Sequence, residues 1–135
     1  MAETTRHRST TAAPGALRAL QATAALTVLS IVVQGVTAGQ LMSGNEAAES
    51  LHGGGAIVLH VLSALTTAAA FLHWRATGGP VWPVALSAVV FVVSFLQAYV
   101  GSHGPMSVHV PLALILLTGA VWVLVWAVGP AVRRR

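Results

Sequence analysis

Six histidines are the residues of this 135-residue chain best suited to chemistry. Five of them, His52, His60, His73, His103 and His109, fall in or beside apolar stretches, while His7 lies in a polar N-terminal segment where nothing recommends it. An imidazole can hold iron through one ring nitrogen while the other donates a hydrogen bond. His52 and His109 stand out because the order Gln, Gly, loop, His occurs twice, as Gln34, Gly39 and His52 and again as Gln97, Gly101 and His109. Two such hairpins related by an axis along a membrane normal would set the two histidines at equal depth, facing one another. Packed helices lie about 8–10 Å apart, and widening one pair slightly would admit a flat macrocycle with an imidazole on each face of its iron. The expected cofactor is therefore a b-type haem, with His52 and His109 as its iron ligands.

Other residues follow from that expectation. Gly53, Gly54 and Gly55 present bare backbone directly after His52, which suits close approach of a ring, although a glycine run is also a loose helix start. Gln34 and Gln97 join the candidate cofactor-binding set through their place in the repeat. His60 lies about 12 Å deeper than His52, two turns along a helix. It is expected to touch a haem edge or propionate, to bond Gln34, or to serve as a neutral imidazole bonded to a neighbouring helix. His73, followed by Trp74 and Arg75, reads as an interfacial anchor. Two readings compete with haem at the His52 and His109 pair. One is a purely structural hydrogen-bonding pair, and the other is copper, since Met42, His52, His103, Met106 and His109 all fall at one end and thioether plus imidazole suits that metal.

The elements that must position these residues are set by composition. Charged residues make up 7% of the chain and hydrophobic ones 56%, whereas a soluble domain carries roughly 25% charged residues. A water-facing surface cannot be coated with so few charges. Four apolar runs, about residues 16–42, 51–74, 81–100 and 108–128, each reach the roughly 20 residues needed to cross a hydrocarbon core. The sequence thus predicts an all-α integral membrane four-helix bundle, up-down-up-down, built from two pseudo-repeated hairpins, with residues 1–15 as a disordered cytoplasmic tail. Pro83 and Pro111 fall near helix starts, where proline is tolerated.

All seven basic residues other than histidine are arginine: Arg6, Arg8, Arg18, Arg75, Arg133, Arg134 and Arg135. Four alternating spans put every one of them on one side, with Glu46 and Glu49 on the other. Cytoplasmic loops are enriched in such residues, so both termini are expected in the cytoplasm of a bacterial plasma membrane. The +4 net charge then marks topology and not a nucleic-acid surface. A cleavable signal peptide ending at Val36-Thr37-Ala38 is the rival reading of the first run, which at over twenty residues exceeds the usual core of about 7–15. The absence of cysteine removes disulfides, thiolate metal sites and covalent c-type haem attachment. Along each run small and polar residues recur at helical spacing. They are Thr23, Thr27, Ser30, Gln34 and Thr37 in the first, and His52, Ala56, His60, Ser63, Thr67 and Ala70 in the second. Ser87, Ser94, Gln97 and Gly101 follow in the third, and His109, Ala113, Leu116, Ala120 and Ala127 in the fourth. These stripes are the expected inner faces.

Glu49-Ser50-Leu51-His52, Gln97 through Gly101, and His109-Val110-Pro111-Leu112-Ala113 together resemble one four-helix half of the haem A synthase family of cytochrome oxidase assembly. The likeness covers about residues 30 to 115. It implies that His52 and His109 are haem ligands and that Glu49 is the carboxylate beside a site of haem oxidation, and so the candidate catalytic residue. A carboxylate in a first helical turn is also favoured simply by the helix dipole. The chain departs from the family in carrying Gly53 where arginine is usual after the first histidine, in having half the length, and in lacking the paired loop cysteines of some bacterial members. It also looks similar to short four-span actinobacterial membrane proteins. The expectation is a bis-histidine b-type haem protein for electron transfer or haem handling, with a haem-modifying enzyme and a non-catalytic accessory subunit as alternatives. The expected partners are the lipid bilayer, a second copy, and a quinone or a cytochrome oxidase assembly partner, with no nucleic acid.

Overall fold

A computed structural model describes residues 12–129. Four helices account for almost all of them: α1 (Ala12–Met42), α2 (Ala48–Thr77), α3 (Trp82–His103) and α4 (Met106–Val128). Each is long and apolar enough to cross a bilayer, and the protein is a multi-pass, all-α membrane bundle. The helices are longer than the apolar runs because hydrogen bonding continues into polar ends. Helix α1 starts at Ala12, so residues 12–15 belong to it and not to a tail. Pro14 is accommodated there because the first turn has no use for its missing N–H. Residues 1–11, the rest of the expected tail, lie outside the described residues.

The connections are short. Helix α2 stops where Gly78 adopts φ 64°, and its N–H closes on the Trp74 carbonyl, a left-handed cap that glycine takes without steric cost. Gly104 and Pro105 alone join α3 to α4. Pro111 falls inside α4 and the helix runs through it.

The helices form a ring in which α1 packs on α2 and α4, and α3 packs on α2 and α4. Among the described residues the diagonal pairs, α1 with α3 and α2 with α4, make no close backbone approach. Small residues make this possible: Ala24, Ala70, Ala120, Ala127, Ser63 and Ser87 are buried, while Leu29, Ile57 and Ile115 face outward with more than half their surface exposed. That pattern reverses a soluble core, as expected where lipid is as apolar as leucine and close packing drives association. The α3 and α4 stripes match the sequence reading, with Ser87, Ser94, Gln97, Leu116, Ala120 and Ala127 all buried. On α2 the buried face is rotated, running Leu59, Ser63, Thr66, Ala70 and His73, with His52 and His60 half-buried at its margin.

Interior hydroxyls are bonded back to their own helices. Thr27, Ser63, Thr66 and Ser87 each donate to a carbonyl three or four residues earlier, which removes the cost of a bare O–H in an apolar interior. Thr27 and Thr66 also meet across α1 and α2 at 2.9 Å.

Candidate functional site

His52 opens α2 and His109 opens α4, two helices on a diagonal of the ring. Both histidines lie at the end opposite Arg18 and Arg75, and their rings meet across the diagonal with centroids 6.4 Å apart and planes at 61°. One hydrogen bond is repeated in both hairpins. Gln34 on α1 donates its amide N–H to the backbone carbonyl of His52 at 3.0 Å, and Gln97 on α3 donates to that of His109 at 3.0 Å. Each glutamine therefore pins the start of the returning helix, and with it the depth of the histidine.

The ring nitrogens are held by different groups with one result. His109 Nδ1 lies 3.1 Å from the backbone carbonyl of Gln97; a carbonyl only accepts, so Nδ1 carries the proton and Nε2 is the lone-pair nitrogen. Nε2 receives a longer contact, 3.3 Å, from the Gln97 amide. His52 Nδ1 lies 2.9 Å from Thr37 Oγ1. With that hydroxyl's hydrogen turned to the α1 carbonyl of Gln34 at 3.0 Å, Thr37 accepts from His52 and leaves Nε2 as its lone-pair nitrogen. Nε2 of His52 has no hydrogen-bond partner among the described residues. The arrangement has the form of metal-ligating histidines, in which an outer acceptor fixes the tautomer and the other nitrogen is free to bind.

Two glycines make room. A Cβ on Gly101 would lie 2.6 Å from His109 Cε1, so the imidazole occupies the space that any side chain there would need. A Cβ on Gly55 would meet the Gln34 amide at 3.1 Å. Gly53 and Gly54 are exposed with open space around them, and Gly39, placed beside Gly101 by the sequence repeat, also touches nothing.

The remaining candidates scatter. Glu49 is exposed in the first turn of α2, and among the described residues no group of three or more His, Asp or Glu comes together. His103 is exposed, stacked on Tyr99 and bonded to the Tyr99 carbonyl at 3.2 Å. Met42 and Met106 are exposed too. The five residues read as a possible copper set thus supply a converging pair of imidazoles without a third histidine. His60 bonds Ser94 on α3 and not Gln34. His73 is buried among the helices, 7% exposed, with its ring edge-on to Trp126 and Nδ1 unpaired, so it does not act as an interfacial anchor. Trp74, Trp82 and Trp126 gather at that end instead, where amphipathic rings suit a bilayer boundary.

Two imidazoles on opposite sides of one metal ion put their ring centres roughly 6 Å apart, given metal–nitrogen bonds of about 2.0–2.1 Å and half a ring on either side. The 6.4 Å separation here is of that size; His52 Nε2 is bare, and His109 Nε2 carries only the longer 3.3 Å contact from the Gln97 amide. Gln97 Oε1 is buried beside them without a partner, an acceptor left for a water or a ligand donor. Fold and site together define a four-span membrane protein with a transverse imidazole pair. No family model, curated protein or solved structure matches the chain.

Proposed function

We propose that the protein binds a b-type haem between His52 and His109 and serves in electron transfer or haem handling at the extracytoplasmic face. The observation that carries this reading is the convergence of the two rings at 6.4 Å with each Nδ1 held by an oxygen of the neighbouring helix. A haem held there would supply a reversible one-electron iron couple. The chain's own part is positional. Gln34 and Gln97 fix the two helix starts, and Thr37 and the Gln97 carbonyl hold the two rings through Nδ1. Ligation through His109 Nε2 would displace only the longer amide contact, and the 3.0 Å bond from Gln97 to the His109 carbonyl would remain. The diagonal on which α2 and α4 lie has no close backbone packing that a macrocycle between the rings would have to break.

Support for an outer position comes from Arg18 and Arg75, which lie toward the other end, since arginine is enriched on the cytoplasmic side. A structural role for the pair is the second reading, favoured by the satisfaction of both His109 nitrogens within the chain. Glu49, exposed and away from any cluster, gives little support to haem modification.

Purified full-length protein from haem-supplied cells should show sharp low-spin b-type bands in a reduced-minus-oxidised spectrum. The bands should vanish in His52→Ala and His109→Ala and persist in Glu49→Gln. A colourless preparation overturns the haem reading and leaves the structural pair.

A further inference from the structure

The geometry points to a second binding site, on the lipid-facing side between α2 and α3, where His60 accepts a hydrogen bond from a membrane-dissolved hydroxyaromatic such as a quinol. This inference does not depend on what the His52 and His109 pair holds.

It begins with depth. Helix α2 has 30 residues and so runs about 45 Å, longer than a hydrocarbon core of about 30 Å. His60 lies about 18 Å from the helix start, well inside that core. A polar side chain at such depth faces protein, water or a specific ligand.

The tautomer comes next. His60 Nδ1 lies 2.8 Å from Ser94 Oγ. Ser94 is buried, and its hydroxyl has the Phe91 carbonyl at the shorter distance of 2.6 Å; with its hydrogen turned there, the oxygen accepts from the imidazole. In that arrangement His60 is protonated at Nδ1, and Nε2 carries a lone pair. That nitrogen has no partner among the described residues and is not among the enclosed, unpaired polar atoms, which leaves it open at a half-buried ring. An acceptor open to hydrocarbon calls for a donor that itself arrives through the lipid.

Aromatic surroundings narrow the donor's class. His60 stacks on Phe95, centroids 4.0 Å apart and planes at 12°, and Phe91 meets Phe95 edge-on at 5.1 Å. Phe95 keeps about half its surface exposed. An O–H carried on an aromatic ring answers both features at once, the hydroxyl reaching Nε2 and the ring lying along the phenylalanine surface. An aliphatic alcohol or a phospholipid headgroup offers at most one of them at this depth.

The test uses the full chain in lipid nanodiscs with nitrogen-15 labelled histidine. The probes are 4-decylphenol and its methyl ether, 4-decylanisole, which keeps the shape and loses the donor. The phenol should bind saturably, one per chain, and move the His60 Nε2 resonance toward its hydrogen-bonded position. The ether should bind about tenfold more weakly, the usual consequence of an unmet hydrogen bond. His60→Leu should lose the saturable component. Ser94→Ala, a gentler change that frees the tautomer, should weaken phenol binding about threefold. Equal binding of phenol and ether overturns the site, as does saturable binding that survives in His60→Leu. A His60 Nε2 resonance already hydrogen-bonded without phenol, in discs holding two copies and not in discs holding one, assigns the face to a second copy and equally overturns it.

Discussion

The two hairpins solve one problem in unequal ways. In both, a glutamine amide holds the carbonyl of the histidine that opens the returning helix. In the first, the imidazole then leans on a side chain, Thr37, and a glycine, Gly55, makes space for the glutamine. In the second, the imidazole leans on a main-chain carbonyl, that of Gln97, and Gly101 makes space for the imidazole itself. A hydroxyl can be exchanged for another group, whereas a carbonyl is tied to its helix. His109 is thus fixed by backbone on both sides, and His52 by groups that substitution can move.

Gly101→Ala should have the largest effect on that contrast. The new methyl would overlap the His109 ring, and overpacking of this sort costs about 1–3 kcal/mol, only about 1 kcal/mol of it returned by alanine's helix preference. Gly55→Ala meets only the end of a flexible glutamine and should cost less. Thermal unfolding in detergent measures the difference, and equal melting shifts would erase the asymmetry. If haem is bound, its bands should be lost in Gly101→Ala and retained in Gly55→Ala.

A smaller difference separates the glutamines. Gln34→Leu removes a good hydrogen bond, about 1 kcal/mol. Gln97→Leu removes the same bond and the longer contact to His109 Nε2 but disposes of a buried unpaired oxygen, so its net cost should be the lower of the two by several tenths of a kcal/mol. The order should appear in the same melting experiment, and the reverse order would mean that a ligand or water satisfies Gln97 Oε1 in the membrane. An effect of opposite sign is expected at Gly53, where a methyl meets open space. Gly53→Ala should raise stability by about 0.5–1 kcal/mol without altering the site, and any loss of haem bands there would show that the bare backbone is used.

Much of this was legible in the residues. Hydropathy located four spans because a bilayer sets a minimum apolar length, and the doubled Gln and His positions marked both partners of the hydrogen bond that the hairpins share. The helix ends were less legible, since Pro14 and Gly101 look like breaks but sit where a first turn or an imidazole accommodates them. Thr37 was assigned to the inner face of α1, yet nothing in its spacing said that it would hold His52. Likewise Ser94 and Phe95 fix His60 only through the rotation of α3 against α2. Such rotations are decided by which small side chains interlock, a property of pairs of helices that periodicity within one helix does not contain.

The diagonal placement of the two imidazoles also has a consequence in time. Each belongs to a different hairpin, and each hairpin has its own short turn and its own glutamine bond. As the N-terminal half of a chain is made first, α1 and α2 can pair while α3 and α4 are still being synthesised. Neither half alone contains a two-imidazole site. The candidate site therefore comes into being only when the hairpins dock, so any cofactor it takes is loaded after synthesis, and its binding energy favours the docked form over the separated halves.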